Sequence, residues 1–191
     1  MMKCFLDMDG VLVDFMKGAH EFHRLPYSMK AYPYEFGVWD NCPPSTSELS
    51  TQEFWDSLDE EFWANLDWMP DGNAILQYTE SFFGVKNICL LTSPTRCPRS
   101  VSGKLLWIQK NLPRYKRQFL IGPPKHFCAH NNAVLIDDSD RNINSFVEHG
   151  GTGVLVPRPW NSEYMDRKES LLSTYLKLID VLDKHDRIEA I

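Results

Sequence analysis

Four short apolar runs, each stopping at polar or turn-forming residues, constrain this chain more than any other feature. They are "KCFLDMD" at 3–9, "VKNICLLTS" at 85–93, "AVLIDD" at 133–138 and "GVLVP" at 153–157. Unalternating runs of this length suit strands buried on both faces of a parallel sheet. A weaker fifth, "RQFLIG", lies at 117–122. Between them come helical patterns at 102–112, 141–149 and 162–185, the last with Ser162 as candidate N-cap and an apolar stripe through Leu172, Tyr175, Leu176 and Ile179. Strands alternating with helices predict an α/β fold with a mainly parallel sheet flanked by helices.

From about Phe15 to Gly84 the texture changes. "YSMKAYPYEFGVWDNCPPSTSELS" reads as irregular structure, "TQEFWDSLDEEFWANL" as a helix starting near Ser50 or Thr51, and "MPDGNAILQYTESFFG" as a helix returning to the sheet. A segment this short makes too small a core to stand alone. The expected division is therefore a core of 1–14 and 85–191, with 15–84 as an inserted, mostly helical cap and return helix.

A formal net charge of −6 provides no global positive field for a nucleic acid polymer or an anionic membrane. No run approaches a membrane span, and the N-terminus reaches acidic residues too early for a signal peptide. Five cysteines, Cys4, Cys42, Cys89, Cys97 and Cys128, lack CxxC spacing and read as reduced thiols. A soluble, cytoplasmic protein is expected, with a homodimer compatible with the sequence. The histidines show no HxH or HExxH spacing for zinc.

In a parallel α/β sheet the active crevice lies at the carboxyl ends of the strands. Those ends carry Asp7 and Asp9, Thr92 and Ser93, and Asp137 and Asp138. Carboxylates crowded together repel and raise one another's pKa unless a cation holds them. A hard divalent ion with oxygen ligands is the natural solution, and Mg2+ uses few carboxylates together with water and phosphate oxygens. Strand alternation would put positions 7 and 9 on one side.

"DMDGVLVDF", "LLTSP", an upstream lysine and "LIDDSDRN" match in order and spacing the motifs of the haloacid dehalogenase superfamily of aspartyl phosphotransferases. With "FWANLDWMPDG" and the K-x-x-W helix, the chain resembles the 5'(3')-deoxyribonucleotidase family, strongly at the motifs and loosely in the cap. The resemblance implies a superfamily fold and a Mg2+-dependent phosphomonoesterase acting on nucleoside monophosphates through an aspartyl-phosphate. Asp7 would be the nucleophile and Asp9 the acid and base. Thr92, Ser93, Lys104 and Lys125 would bind phosphate. Asp7, the Asp9 carbonyl and Asp138 would hold the metal, with Asp137 supporting the site or contacting a metal-bound water.

Selection of the leaving group would fall to the cap. Phe15, Trp39, Phe62 and Trp63 are candidates for an aromatic pocket, although each ring taken singly also serves as core of a small cap. Asp14 reads as a cap or turn contact. The rival readings are a phosphatase or phosphomutase for another small ester, and a silent nucleotide-binding module.

Overall fold

The computed structural model describes residues 2–30, 32, 34–38, 49–122 and 124–189. β1 (Lys3–Leu6), β2 (Ile88–Thr92), β3 (Phe119–Ile121), β4 (Ala133–Asp137) and β5 (Thr152–Leu155) form one parallel sheet in the order β3-β2-β1-β4-β5. The order reverses at β1, which pairs with β2 on one side and β4 on the other, so a crevice opens at its carboxyl end. Every residue of β4 is buried, as its unbroken apolar run requires.

Between β1 and β2 the chain forms α1 (Phe15–Phe22), α2 (Thr51–Ser57), α3 (Glu60–Ala64) and α4 (Gly72–Phe83). After β2 come α5 (Pro98–Asn111), α6 (Asp140–Glu148) and α7 (Ser170–Glu189). α4 packs on β1, β2 and α7, while α6 packs on β4 and β5. α3 lies against α5, where Gly103 permits the approach: a Cβ there would meet the Glu60 carbonyl at 2.7 Å and collide with the Trp63 side chain. Below this contact Trp107 is fully buried, and its Nε1 donates to the Leu66 carbonyl at 2.8 Å, so a large ring enters the core without an orphan donor.

Several local outcomes differ from the sequence pattern. β1 ends at Leu6, so Asp7 and Asp9 lie beyond it and strand alternation does not set their relation. "TQEFWDSLDEEFWANL" splits into α2 and α3 because Leu58 is extended and Asp59 caps a new helix, accepting from Phe62 N at 2.7 Å. Ser50 does start α2, through a reciprocal capping box with Glu53. Ser162 does not cap the last helix; its hydroxyl donates to Asp140, a 3-10 turn occupies Tyr164–Glu169, and α7 begins at Ser170. Asp14 N-caps α1, accepting from Lys17 N at 3.1 Å.

Cys4, Cys89, Cys97 and Cys128 are free thiols, and Cys42 lies outside the described residues. No described helix is long and apolar enough to cross a membrane.

Candidate active site

The turn after β1 builds one wall of the site. Asp7 N extends the ladder by one bond to the Ile136 carbonyl at 2.9 Å, and the chain then folds on itself, with Leu12 N and Val13 N both donating to the Met8 carbonyl. Gly10 sits at φ +76°, a conformation that L side chains rarely adopt. A Cβ there would also collide with the Asp138 carboxylate. Gly10 is thus required both for the turn and for the close approach of the acid opposite.

Asp7, Asp137 and Asp138 are buried, with carboxylate oxygens within 4.8 Å of one another. Lys125, from the 3-10 turn Lys125–Cys128, is buried between two of them, 2.6 Å from Asp7 Oδ1 and 2.6 Å from Asp137 Oδ2. Asp137 also accepts from Ser139 N at 2.9 Å and from Asn142 Nδ2 at 3.1 Å on each oxygen, so both its oxygens are committed within the protein. Among the described residues, Asp138 accepts from Trp160 Nε1 through Oδ2 alone. Asp7 takes both Met8 N, at 2.7 Å, and Lys125 on Oδ1.

On the other wall, α5 delivers the buried Lys104, which pairs with Asp9 Oδ2 and donates to Thr92 Oγ1 at 3.1 Å. Its ammonium also lies 4.7 Å from the centre of the Trp63 ring, a cation–π contact. Asp9 Oδ1 is buried with no hydrogen-bond partner among the described residues.

Among the described residues, four carboxylates, Asp7, Asp9, Asp137 and Asp138, thus face two ammonium groups, leaving a formal deficit of two positive charges. The electrostatics carry that mark. Burial, then Asp137, pushes the Asp7 carboxyl well above the ordinary carboxylate value despite Lys125. Burial and Asp137 push Asp138 up to about 7, against the Trp160 hydrogen bond. Burial disfavours the Lys125 ammonium, but Asp137 and Asp7 outweigh it and hold that pKa above the usual lysine value. Oxygen-only donors, an uncommitted Asp138 Oδ1 and a deficit of two charges fit a hard divalent ion.

Two cavities meet at Asp9, Phe15 and Ser93. One, of about 500 Å³, is lined by Asp7, Lys125, Asp138, Asn142 and Trp160 among others; it brings the two motif aspartates to one space, although no strand alternation does so. The other, of about 640 Å³, is walled by Phe15, Trp55 and Trp63 and rimmed by Gln52, Asp56 and Arg96. Phe15 stacks with Trp55 at 5.6 Å and with Trp63 at 5.4 Å, so the rings pack on one another and wall the cavity at once. Phe62 packs edge-on to Phe15, outside the lining of both cavities. Trp39 lies outside the described residues.

Sequence reasoning missed Trp55, whose signal was available as an aromatic one turn before Trp63's helix. It also missed Arg158, Trp160 and Asn161, in the "RPWN" that follows the run at 153–157. By the strand-end rule applied to the other runs, that polar stretch also faces the crevice.

A parallel sheet whose order reverses at β1, with an acidic, lysine-bridged cluster at its carboxyl edge, is the architecture that the haloacid dehalogenase resemblance implies. The model of the family "5' nucleotidase, deoxy (Pyrimidine), cytosolic type C protein" matches residues 1–178. The chain belongs to that family and is a phosphoric monoester hydrolase of the 5'-nucleotidase type. A haloacid dehalogenase family hydrolase from Deinococcus radiodurans R1, solved with bound phosphate and sodium, is similar at TM-score 0.53 and 14% identity, over 89% of this chain and 88% of that one. Fainter likenesses are a phosphonoacetaldehyde hydrolase like protein from Oleispira antarctica, at TM-score 0.47 and 12% identity over 94% and 84%, and a Bacteroides thetaiotaomicron family enzyme solved as a magnesium complex, at 0.41 and 14% over 87% and 98%. No curated protein matches the sequence at a significant level.

Proposed function

We propose that the chain is a Mg2+-dependent phosphomonoesterase for nucleoside monophosphates, 5'(3')-deoxyribonucleotides in particular, working through an aspartyl-phosphate on Asp7. The observation that carries this is the junction of the two cavities at Asp9. A polar chamber suited to the phosphoryl group opens there into an aromatic one suited to a base.

An Asp7 oxygen attacks phosphorus, the P–O bond to the sugar breaks, and Asp9, entering this step as the carboxylic acid, gives its proton to the departing alkoxide. Asp9 then takes a proton from water, which displaces the carboxylate from phosphorus and regenerates Asp7 with release of inorganic phosphate. Lys125 holds Asp7 in place and offsets the charge brought in by the ester. Lys104 and Thr92, already hydrogen-bonded, would pass their donors to the phosphoryl oxygens, freeing Asp9 from its ion pair; Ser93, at the cavity junction, would add another. In this reading 1–14 and 85–191 form the catalytic core and 15–84 the lid with its return helix.

Asp7 and Asp138, with the Asp9 backbone carbonyl, would hold Mg2+; the commitments of Asp137 to Lys125, Ser139 and Asn142 favour the role of supporting acid for it. When bound, the ion supplies charge neutralisation for the carboxylates and the phosphoryl oxygens.

Phosphate release from a panel of 5' and 3' mononucleotides and sugar phosphates, with and without Mg2+, tests the proposal. Turnover of deoxynucleotides that depends on Mg2+ is expected. Preference for sugar phosphates would overturn the nucleotide assignment, and no turnover of any ester would overturn the catalytic one.

A further inference from the structure

The loop that leaves β5 reaches the acidic cluster from a side that none of the recognised motifs marks. Trp160 Nε1 donates to Asp138 Oδ2 at 2.6 Å. Asn161 Nδ2 donates to the Asp138 backbone carbonyl and to the Val156 carbonyl, each at 2.8 Å. Arg158 donates from Nε to the Gly10 carbonyl at 2.5 Å, grips Asp71 with two bonds of 2.8 Å and donates to Ser170 Oγ at 2.8 Å. Arg158, Trp160 and Asn161 are 1%, 3% and 1% exposed, so these bonds form away from competing water.

The geometry therefore ties the turn after β1 and the end of β4 to one loop. Arg158 holds the turn that carries Asp9, and Asn161 holds the main chain of Asp138. Trp160 holds the Asp138 side chain itself. An indole N–H can only donate, and its ring, tilted against Tyr32 at 6.2 Å, is large and buried. A carboxylate anchored this way through one oxygen loses its rotational freedom and presents the other oxygen in a fixed direction.

We infer that Trp160 and Asn161 are positioning residues for divalent-metal binding, fixing Asp138 so that Oδ1 is aimed at the ion. The inference rests on the metal reading of the site given above. The competing account is that the Trp160 bond only satisfies an indole N–H in a packed interior.

Trp160→Phe keeps an aromatic ring and removes the N–H. Metal binding is read on the substrate-free protein by titration with Mn2+, followed by electron paramagnetic resonance, with Mg2+ as competitor. The expected result is a loss of affinity of about 10–100-fold, the usual effect of removing a partner of a metal ligand. In turnover assays the Mg2+ requirement should rise by the same factor, with substrate KM and kcat recovering at excess Mg2+. Wild-type metal affinity in Trp160→Phe, or a loss of turnover that excess Mg2+ does not restore, overturns the inference. If Trp160→Phe does not fold, Asn161→Ala must weaken Mn2+ binding in the same direction, and unchanged affinity there overturns it equally. A wild-type protein that binds neither ion removes the metal reading and this inference together, a result distinct from the others.

Discussion

The Lys125 ammonium and the Asp7 carboxylate lie 2.6 Å apart, both buried, and the same ammonium lies 2.6 Å from Asp137. A single cation thus keeps two acids of the cluster together. It also restrains the oxygen through which Asp7 accepts from Met8 N.

Removing that cation leaves buried carboxylates uncompensated. Lys125→Met is expected to destabilise the metal-free protein by about 3–5 kcal/mol, the range for breaking a buried ion pair from one side. Urea unfolding checks this; stability equal to the wild type would show that the pair contributes little.

Asp9→Asn should lower kcat on nucleotides by ~10²–10⁴, the usual contribution of a positioned acid or base. Phosphorylation of Asp7 should persist with p-nitrophenyl phosphate, whose phenolate departs without a proton. A stopped-flow burst of p-nitrophenolate followed by slow turnover is the expected trace, and its absence would place Asp9 elsewhere in the mechanism.

Gly103→Ala presses a methyl group into the Glu60 carbonyl and the Trp63 side chain. The expected cost is about 1–3 kcal/mol for overpacking, with KM for nucleotides raised more than KM for p-nitrophenyl phosphate. Equal changes in both KM values would detach Trp63 from leaving-group recognition.

His20, in α1, gives the fold a pH dependence of its own. It is fully buried, Nδ1 donates to the Met16 carbonyl at 2.6 Å and Nε2 meets the Tyr34 hydroxyl. Burial, above the other influences, holds its pKa below the ordinary 6.5. The unfolded chain therefore takes up the proton first, so this contribution to stability is present above about 6.5 and is lost as pH falls toward the folded-state pKa. His20→Gln should flatten the slope of unfolding free energy against pH in that window, and an unchanged slope would contradict the assignment.

The sheet was legible because strands buried on both faces leave unbroken apolar runs, and all five runs became strands. Their ends were less so: the run through Asp9 read as one strand, yet hydrogen bonding to Met8 turns the chain after Asp7. The acids were legible as polar residues at the ends of apolar runs, whereas Lys104 and Lys125 were singled out only by the family resemblance; the structure brings Lys125 against Asp7 and Asp137, and Lys104 against Asp9. Trp55 and Trp160 were not legible, because a tryptophan at helical spacing or after a strand reads first as core. Only the fold reveals that Trp55 also walls a cavity and that the Trp160 N–H reaches an acid 22 residues away. Arg158 was hidden for a similar reason, since its partner Asp71 lies 87 positions distant.

The central claim is that Asp7 carries the phosphoryl group. Acid quenching of the wild type and Asp7→Asn after brief mixing with Mg2+ and a deoxynucleoside monophosphate labelled in its phosphate, followed by peptide mapping, tests it most directly. The account predicts label on the peptide containing Asp7 in the wild type, and neither label nor phosphate release in Asp7→Asn. Undiminished phosphate release by Asp7→Asn would contradict it.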